Sequence, residues 1–456
     1  MRDLLARVGP HLAAQVAAWV HEAGVPGAAA AAVVRGEPPW AFAYGTADVE
    51  TDMPVTPSMP LRVGSLTKPF TAAAILQLRD DGALGLADPV VEHIPGFAGV
   101  RPAPGSRTGD VLVEHLLTHR AGLPGEIHAL DEAADAYPTT PEVVEGLAEI
   151  SLLSVPGTAM RYSNLGYQLL GEIVARRSAT SFEAYCDRML FAPLGLSATS
   201  FARPDSAARG HRARAFTDRV QPAEDRRKRT NADGGLWSSA ADQAAWIAAH
   251  VEEGSRFGEM RGPIGGSERD GSPGQGLGWF RERRDARTLV YHQGSTPGFA
   301  ARLAFSAPLG GGAVVLTNGE APTSDVLGRI VDLVLDGIEG AAPSEPAPPL
   351  PPPPAPMPYP AVWDELVGYY VWPGSTMLFR AEVRSGRLRL VDLQASDRPI
   401  TLEPAGSDAF VALDGGWAGE RIVIRRNGAG RVFGLRLGPW SVWRLVEAGG
   451  HASRSR

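Results

Sequence analysis

The sequence predicts an α+β unit over residues 1–340 and a small all-β unit over residues 361–456. Three observations carry that expectation. Strand-type segments at both ends of the first region enclose a series of helical periodicities, a proline-rich stretch then interrupts the chain, and every segment beyond it alternates apolar and polar residues in short runs.

Taken in order, Val25 to Val34 is an apolar run too short to cross a bilayer, so it reads as a buried strand. Gly27–Val34 and Trp40–Tyr44 make a hairpin of strands. Helical spacing governs Thr67–Leu84, Val111–Leu117, Thr140–Leu152, Tyr167–Arg177 and Phe182–Leu190. Strand patterns return at Leu277–Glu282, Leu289–His292, Ala301–Ser306 and Ala313–Thr317, followed by an amphipathic helix over Ser324–Ile338. First and last strands are expected to share one antiparallel sheet with helices inserted between them, a layered α+β arrangement and not a doubly wound one. Eleven prolines between Pro343 and Pro360 forbid helix and inner strand, which makes residues 341–360 a stiff linker, a spacer more than a hinge. Beyond it, Met377–Val383, Leu388–Leu393, Phe410–Leu413, Ile422–Ile424, Val432–Leu437 and Val442–Val446 alternate, with turn signals at Ser385-Gly386 and Asn427-Gly428. About eight short strands in a small antiparallel barrel or sandwich are expected.

Composition narrows the function classes. The 456 residues are 44% apolar and 21% charged, ordinary values for a globular protein. No apolar run reaches eighteen residues, so no membrane role is expected, and Arg2, Asp3, Arg7 and His11 interrupt the start in a way that a secretory signal would not. A single cysteine, Cys186, excludes an internal disulfide and a Cys-based zinc cage, and a cytoplasmic location fits. A net charge of -7 argues against nucleic acid as a partner, and the basic run Arg226–Arg229 reads as a solvated loop. Oligomeric state is not legible.

The tetrapeptide Ser65-Leu66-Thr67-Lys68 carries the chemical signal. If a helix begins at Gly64 or Ser65, residues three apart share a face, and the hydroxyl can meet the amine. Serine is a weak nucleophile until a neighbouring base takes its proton; a buried amine at a helix start can serve, whereas arginine does not deprotonate. Only two of the 44 basic residues are lysines, Lys68 and Lys228, so lysine at this place departs from a strong arginine bias. The plain alternative is a helix start with Ser65 as N-cap and Lys68 solvated. Pro69 complicates both readings, because a residue before proline resists the α conformation.

Two further segments sharpen the reading: Arg161-Tyr162-Ser163-Asn164 ahead of a helical run, and His292-Gln293-Gly294-Ser295 at the end of an apolar strand. Ser-x-x-Lys, Tyr-x-Asn and His-x-Gly, in that order, resemble the serine β-lactamase and penicillin-binding-protein superfamily. Within it the chain is most similar to the branch of class C β-lactamases, family VIII carboxylesterases, D-stereospecific aminopeptidases and DD-carboxypeptidases. Leu116-Leu117-Thr118-His119-Arg120-Ala121-Gly122-Leu123, Pro193-Leu194-Gly195-Leu196 and Gly234-Gly235-Leu236-Trp237-Ser238-Ser239-Ala240 extend the likeness over about residues 20–340. The tail is similar to the lipocalin-like barrels appended to some of these enzymes.

The resemblance implies an antiparallel sheet flanked by helices with a mostly helical subdomain. It makes Ser65 the acylated nucleophile, Lys68 its proton acceptor and Tyr162 a partner base whose phenol Lys68 would have to acidify. Asn164 would bond Lys68 or the substrate amide, and the backbone N–H groups of Ser65 and Ser295 would form the oxyanion hole. Gly294 would let its strand approach closely, since a side chain there would obstruct the acyl group. His292, partly charged near neutral pH, stands where β-lactamases commonly carry lysine, which weakens a β-lactam reading. His115 and His119 lie four apart but lack a third ligand and read as structural; no metal site is expected. Neither a Gly-x-Ser-x-Gly elbow nor a phosphate-binding glycine motif occurs, so no cofactor is expected. The expected activity is hydrolysis of a small ester or amide, carboxylesterase-like. Open alternatives are a D-stereospecific aminopeptidase or amidase, a DD-peptidase, a β-lactamase, and a catalytically inactive scaffold or binding protein.

Overall fold

The computed structural model describes residues 3–126, 139–213, 217, 219–223, 231–262, 274–284, 286–353, 359–372, 377–384, 386–393, 399–437 and 440–445. The basic run Arg226–Arg229, the turn residue Ser385 and the strand end Val446 lie outside the described residues. The chain forms two compact units, Met1–Arg212 with Pro222–Pro354, and Ala213–Gln221 with Ala355–Arg456.

In the larger unit the strands of the main sheet are β1 (Gly27–Val34), β2 (Trp40–Asp48), β3 (Met53–Pro54), β4 (Gly274–Gln275), β5 (Phe280–Arg284), β6 (Arg287–Thr296), β7 (Phe299–Ser306) and β8 (Gly311–Thr317). They form one sheet in the order β3-β2-β1-β8-β7-β6-β5-β4, and the antiparallel pair β1 and β8, Ala28 opposite Thr317, joins the two ends of the unit. The segment predicted to start at Leu277 enters the sheet only at Phe280, because Gly278 turns the backbone with φ 78°.

The alanine run in β1 makes sense only in a strand covered on both faces. Ala28, Ala30, Ala32 and Val34 belong to the core under α1 (Leu4–Ala23) and α8 (Ser324–Ile338), while Ala29, Ala31 and Val33 face the core of the helical layer. Small side chains let helices approach from either side. Helix α1 was not among the sequence expectations; Leu4, Val8, Leu12, Val16 and Val20 recur every four residues and are buried. Pro10 sits within its first two turns, and the Leu4 and Leu5 N–H groups donate to the two carboxylate oxygens of Glu37, 3.0 Å each. The helical layer contains α2 (Lys68–Asp80), α3 (Val113–Leu117), α4 (Thr140–Glu145), α5 (Asn164–Ser178), α6 (Phe182–Cys186) and α7 (Ala240–Val251). Phe70 of α2 stacks on Trp246 of α7 with ring centres 4.3 Å apart.

Residues 341–353 have no helix or strand, as their prolines require. They are not free chain, however: His11 bonds the Glu345 carbonyl at 2.9 Å, Tyr44 donates to Pro351 O at 2.5 Å and His21 bonds Pro352 O at 2.9 Å.

The smaller unit is a closed antiparallel barrel of β9 (Gly368–Val371), β10 (Leu378–Arg384), β11 (Arg387–Asp392), β12 (Ile400–Pro404), β13 (Ala409–Ala412), β14 (Arg421–Arg426), β15 (Val432–Leu437) and β16 (Trp440–Arg444). Alternate residues such as Phe379, Leu390, Leu402, Phe410, Ile422 and Leu435 fill its core. β9 and β12 had no clear alternation in the sequence. Residues 213–221, distant in sequence, join this unit: the Arg219 guanidinium lies 4.0 Å from the Tyr359 ring centre and 3.0 Å from Asp364, and Arg384 donates to Thr217 O at 2.8 Å. No helix among the described residues is long and apolar enough to cross a membrane.

His250 of α7 is fully buried among Trp246, Phe257, Trp279 and Phe305, and neither ring nitrogen has a hydrogen-bond partner among the described residues. Burial holds its basicity well below the ordinary imidazole value. A histidine that protonates more readily unfolded than folded contributes stability above the unfolded value near pH 6.5, which is lost as pH falls. We expect His250→Leu to flatten the decline of unfolding free energy between pH 7 and 5 by up to about 1.4 kcal/mol per pH unit. Urea titrations at several pH values measure the slope.

Candidate active site

The site begins where a 3-10 turn, Gly64–Thr67, runs into α2. Thr67 Oγ1 donates to Gly64 O at 2.7 Å and accepts the Leu236 N–H at 3.2 Å, which locks the turn that carries Ser65. Lys68 adopts the α conformation, φ -58° and ψ -41°, despite preceding proline. Pro69 falls in the first turn of α2, where its missing N–H has no intrahelical acceptor to lose.

Lys68 is wholly buried. Its Nζ lies 3.1 Å from Ser65 Oγ, 2.6 Å from Asn164 Oδ1 and 2.6 Å from the Asp233 carbonyl oxygen. Asn164 opens α5 behind the N-cap Ser163, and its amide donates to Glu126 Oε1 at 2.6 Å. Nζ is also 4.8 Å from the ring centre of Tyr162 and 5.5 Å from that of Tyr167.

Tyr162 is hydrogen-bonded to Ser65, as the motif order requires, yet its phenol behaves opposite to expectation. Tyr162 is 37% exposed at the cleft, yet desolvation of the phenol raises its pKa above the usual value, the Asp233 and Glu126 carboxylates add to the rise, and the Ser65 bond opposes it. Lys68 does not acidify it, so the resting group is a neutral phenol.

His292 departs from expectation in the same direction. It is buried at 2% exposure, and burial with the nearby Lys68 charge pushes its pKa down to about 3. The imidazole is neutral, not partly charged, and its Nδ1 bonds Gln293 O at 2.7 Å. Gly294 sits where the strand comes close to the turn, the close approach expected of it from the sequence. A Cβ there would overlap the Val63 carbonyl oxygen and come 3.0 Å from Ser65 N, while a Cβ on Gly64, at φ 53°, would come 2.8 Å from Ser295 N. Two side-chain-free positions thus let the end of β6 lie backbone to backbone against the turn that carries Ser65.

Ser65, Tyr162, His292, Gly294, Ser295 and Glu320 line one open cleft of about 1020 Å³, with Met160 and Phe280 on its apolar wall. Sequence reasoning missed Asp233, Glu126 and Glu320. Asp233 reaches Lys68 through its carbonyl, which no residue type betrays; Glu126 lies three residues beyond Leu123, the end of the Leu116–Leu123 segment; Glu320 follows β8 and accepts the Gly298 N–H at 2.7 Å. His115 accepts the Leu112 N–H at 3.2 Å, and His119 packs against Tyr162.

A buried amine on a serine hydroxyl, with a phenol bonded to the same serine, is the arrangement of serine acyl-transfer enzymes. The β-lactamase family profile matches residues 12–335, and the chain belongs to that family, within the serine β-lactamase and penicillin-binding-protein superfamily. Residues 359–444 match a family described as a domain of unknown function. Protein flp of Staphylococcus aureus (strain N315) is 25% identical over 303 residues, which are 64% of this chain and 60% of flp. The chain therefore spans about 60% of the length of these curated relatives. Among solved structures, the octameric penicillin-binding protein homologue from Pyrococcus abyssi is similar at TM-score 0.64 and 23% identity, covering 94% of this chain and 98% of the other. SurE is similar at TM-score 0.59 and 25% identity over 95% and 98% of the two chains, and its structure is also known with D-Leu.

Gly294→Ala should push β6 off the nucleophile turn. We expect Ser65 labelling by a fluorophosphonate to slow about a hundredfold or more, the cost of losing one oxyanion donor, while far-UV circular dichroism stays unchanged. Labelling rates by intact-mass spectrometry check this.

Proposed function

We propose that this protein hydrolyses small esters or amides through an acyl-enzyme on Ser65, with carboxylesterase-like preference for acyl groups that bear no carboxylate. The observation that carries the reading is the buried Lys68 amine held 3.1 Å from Ser65 Oγ. The Ser65 proton passes to Nζ as Oγ attacks the substrate carbonyl, and the Ser65 and Ser295 amides stabilise the oxyanion. On collapse the leaving oxygen or nitrogen takes the Tyr162 phenolic proton, and Lys68 returns its extra proton to Tyr162. Water then loses a proton to the same pair, attacks the ester carbonyl and releases acid and free Ser65. A phenol of raised pKa suits this relay, since it starts protonated and serves first as acid.

Cleft charge supports the substrate class. Carboxylate-bearing acyl donors such as β-lactams call for a fixed cation, whereas His292 is neutral and Glu320 is the sole charged side chain among the described lining residues. That polarity favours neutral or ammonium-bearing acyl groups over β-lactams and DD-peptides. A D-stereospecific aminopeptidase or amidase is the second reading, supported by Glu320 and by the similarity to SurE, whose structure is known with D-Leu. No cofactor enters either reading, and the partner is a small-molecule substrate.

The test exposes wild type and Ser65→Ala to a p-nitrophenyl ester, a D-alanine p-nitroanilide and a penicillin, following adduct mass and product together. Ser65→Ala should lose every adduct. Lys68→Ala and Tyr162→Phe should lower turnover by about 10²- to 10⁴-fold, the usual worth of positioned proton transfer. Folded wild type inert to all three compounds would favour a catalytically inactive scaffold. Glu320 is solvent-exposed. Glu320→Gln should lower the rate on the D-alanine anilide relative to the neutral ester by roughly two- to fivefold, the scale of an exposed ion pair. The ratio of the two kcat/KM values measures it.

A further inference from the structure

Tyr162 lies on a stretch without helix or strand, so nothing in its own secondary structure fixes the phenol. The restraint comes from the segment running from Leu117 to Gly125. Leu153 N donates to Gly122 O at 2.7 Å, Gly157 N to Arg120 O at 2.8 Å, and Asn164 N to Gly125 O at 2.9 Å. The bonds on either side of Tyr162 converge on one residue. Arg161 N donates to the His119 carbonyl at 2.7 Å, and Ser163 N donates to His119 Nδ1 at 3.1 Å. The imidazole itself lies with its centre 4.4 Å from the Tyr162 ring and 5.0 Å from the Tyr167 ring.

We propose that His119 is the positioning residue for Tyr162, clamping the backbone before and after it and bracing its ring from behind. The inference rests on the acyl-enzyme reading above but concerns a residue outside its proton transfers. Three demands select histidine. The side chain must accept a backbone N–H, pack a ring against both Tyr162 and Tyr167, and stay uncharged beside Lys68. An Nδ1 that accepts from Ser163 cannot carry a proton, and burial together with Lys68 holds the ring neutral. Its backbone also takes the left-handed conformation, φ 55°, which side chains other than Asn and Asp adopt at a cost, so contacts on both flanks must hold it there.

Asparagine provides the discriminating substitution, because Oδ1 stands near the place of Nδ1 and the residue tolerates positive φ. Phenylalanine keeps the flat ring and removes the acceptor. On whichever ester wild type hydrolyses, His119→Phe should lower kcat about a hundredfold with KM within about twofold, the scale of an ångström-sized misplacement. His119→Asn should recover most of that loss. In a Tyr162→Phe background, His119→Phe should cost nothing further, since both changes remove the same contribution. Thermal unfolding establishes that each variant is folded.

A second readout is independent of turnover. With 3-fluorotyrosine at position 162, the 19F resonance should be single and narrow in wild type and His119→Asn, and broadened or split in His119→Phe. Equal kcat losses from His119→Phe with and without Tyr162, or an unchanged 19F line in that variant, would overturn the proposal. A wild-type protein that turns over no substrate overturns the acyl-enzyme reading instead, and the 19F line still decides the clamp.

Discussion

Burial of the Lys68 amine is the constraint on which the rest of the catalytic unit depends. A charged or polar nitrogen removed from water is costly unless its hydrogens are accepted, and here Asn164 and the Asp233 carbonyl, 96 and 165 residues further along the chain, both accept at 2.6 Å. Satisfying one side chain therefore fixes the start of α5 and the 231–236 segment against α2. Neighbouring bonds follow the same geometry: Thr71 Oγ1 donates to Ala232 O at 2.6 Å, and Val63 N donates to Leu236 O at 3.1 Å. The serine is placed by consequence, because residues three apart on the turn share the face that Lys68 must bury.

The second half of the site is a sheet edge brought to that turn. The order of strands sets β6 beside β7, with Gly294 opposite Ala301 and Ser295 opposite Ala300, and the two glycines at 64 and 294 remove the side chains that would otherwise separate the layers. Glu320 ties in from the far side of the sheet by accepting Gly298 N, at the turn that returns β6 into β7. One carboxylate thus braces the turn after Ser295 and also sets the charge of the cleft wall.

Which features were legible follows from how local their causes are. Ser65, Lys68, Tyr162 and Asn164 were legible because their spacing within short motifs encodes the turn or helix start that presents them. Strands β1, β6, β7 and β8 were legible from continuous or alternating apolar runs, and the barrel from its alternation. Helix α1 was hidden by Pro10 and by polar residues on its outer face, although its buried positions keep helical spacing. The titration states of Tyr162 and His292 were misjudged, since the sequence shows a neighbouring lysine but not the burial that outweighs it. Asp233 meets Lys68 through a backbone oxygen, and His119 meets the backbone N–H of Ser163 across 44 residues, contacts that residue type alone does not announce. The association of residues 213–221 with the barrel rests on Arg219, one arginine among many, with nothing in its surroundings to single it out.

The two misjudged groups bear on the same question of which substrates the cleft admits. A permanent cation at position 292 would attract a carboxylate but would also stand beside Lys68, where like charge disfavours a second positive group. The neutral imidazole removes that repulsion, and burial keeps it neutral throughout the physiological range. In the proposed relay the Ser65 proton arrives at Lys68 beside an imidazole that stays neutral. Glu320, braced and solvent-facing at the same cleft, leaves a resting electrostatic field that repels anionic acyl groups and accepts ammonium ones. Under the proposed acyl-transfer reading, the polarity of the cleft wall, more than the serine, divides the candidate substrates.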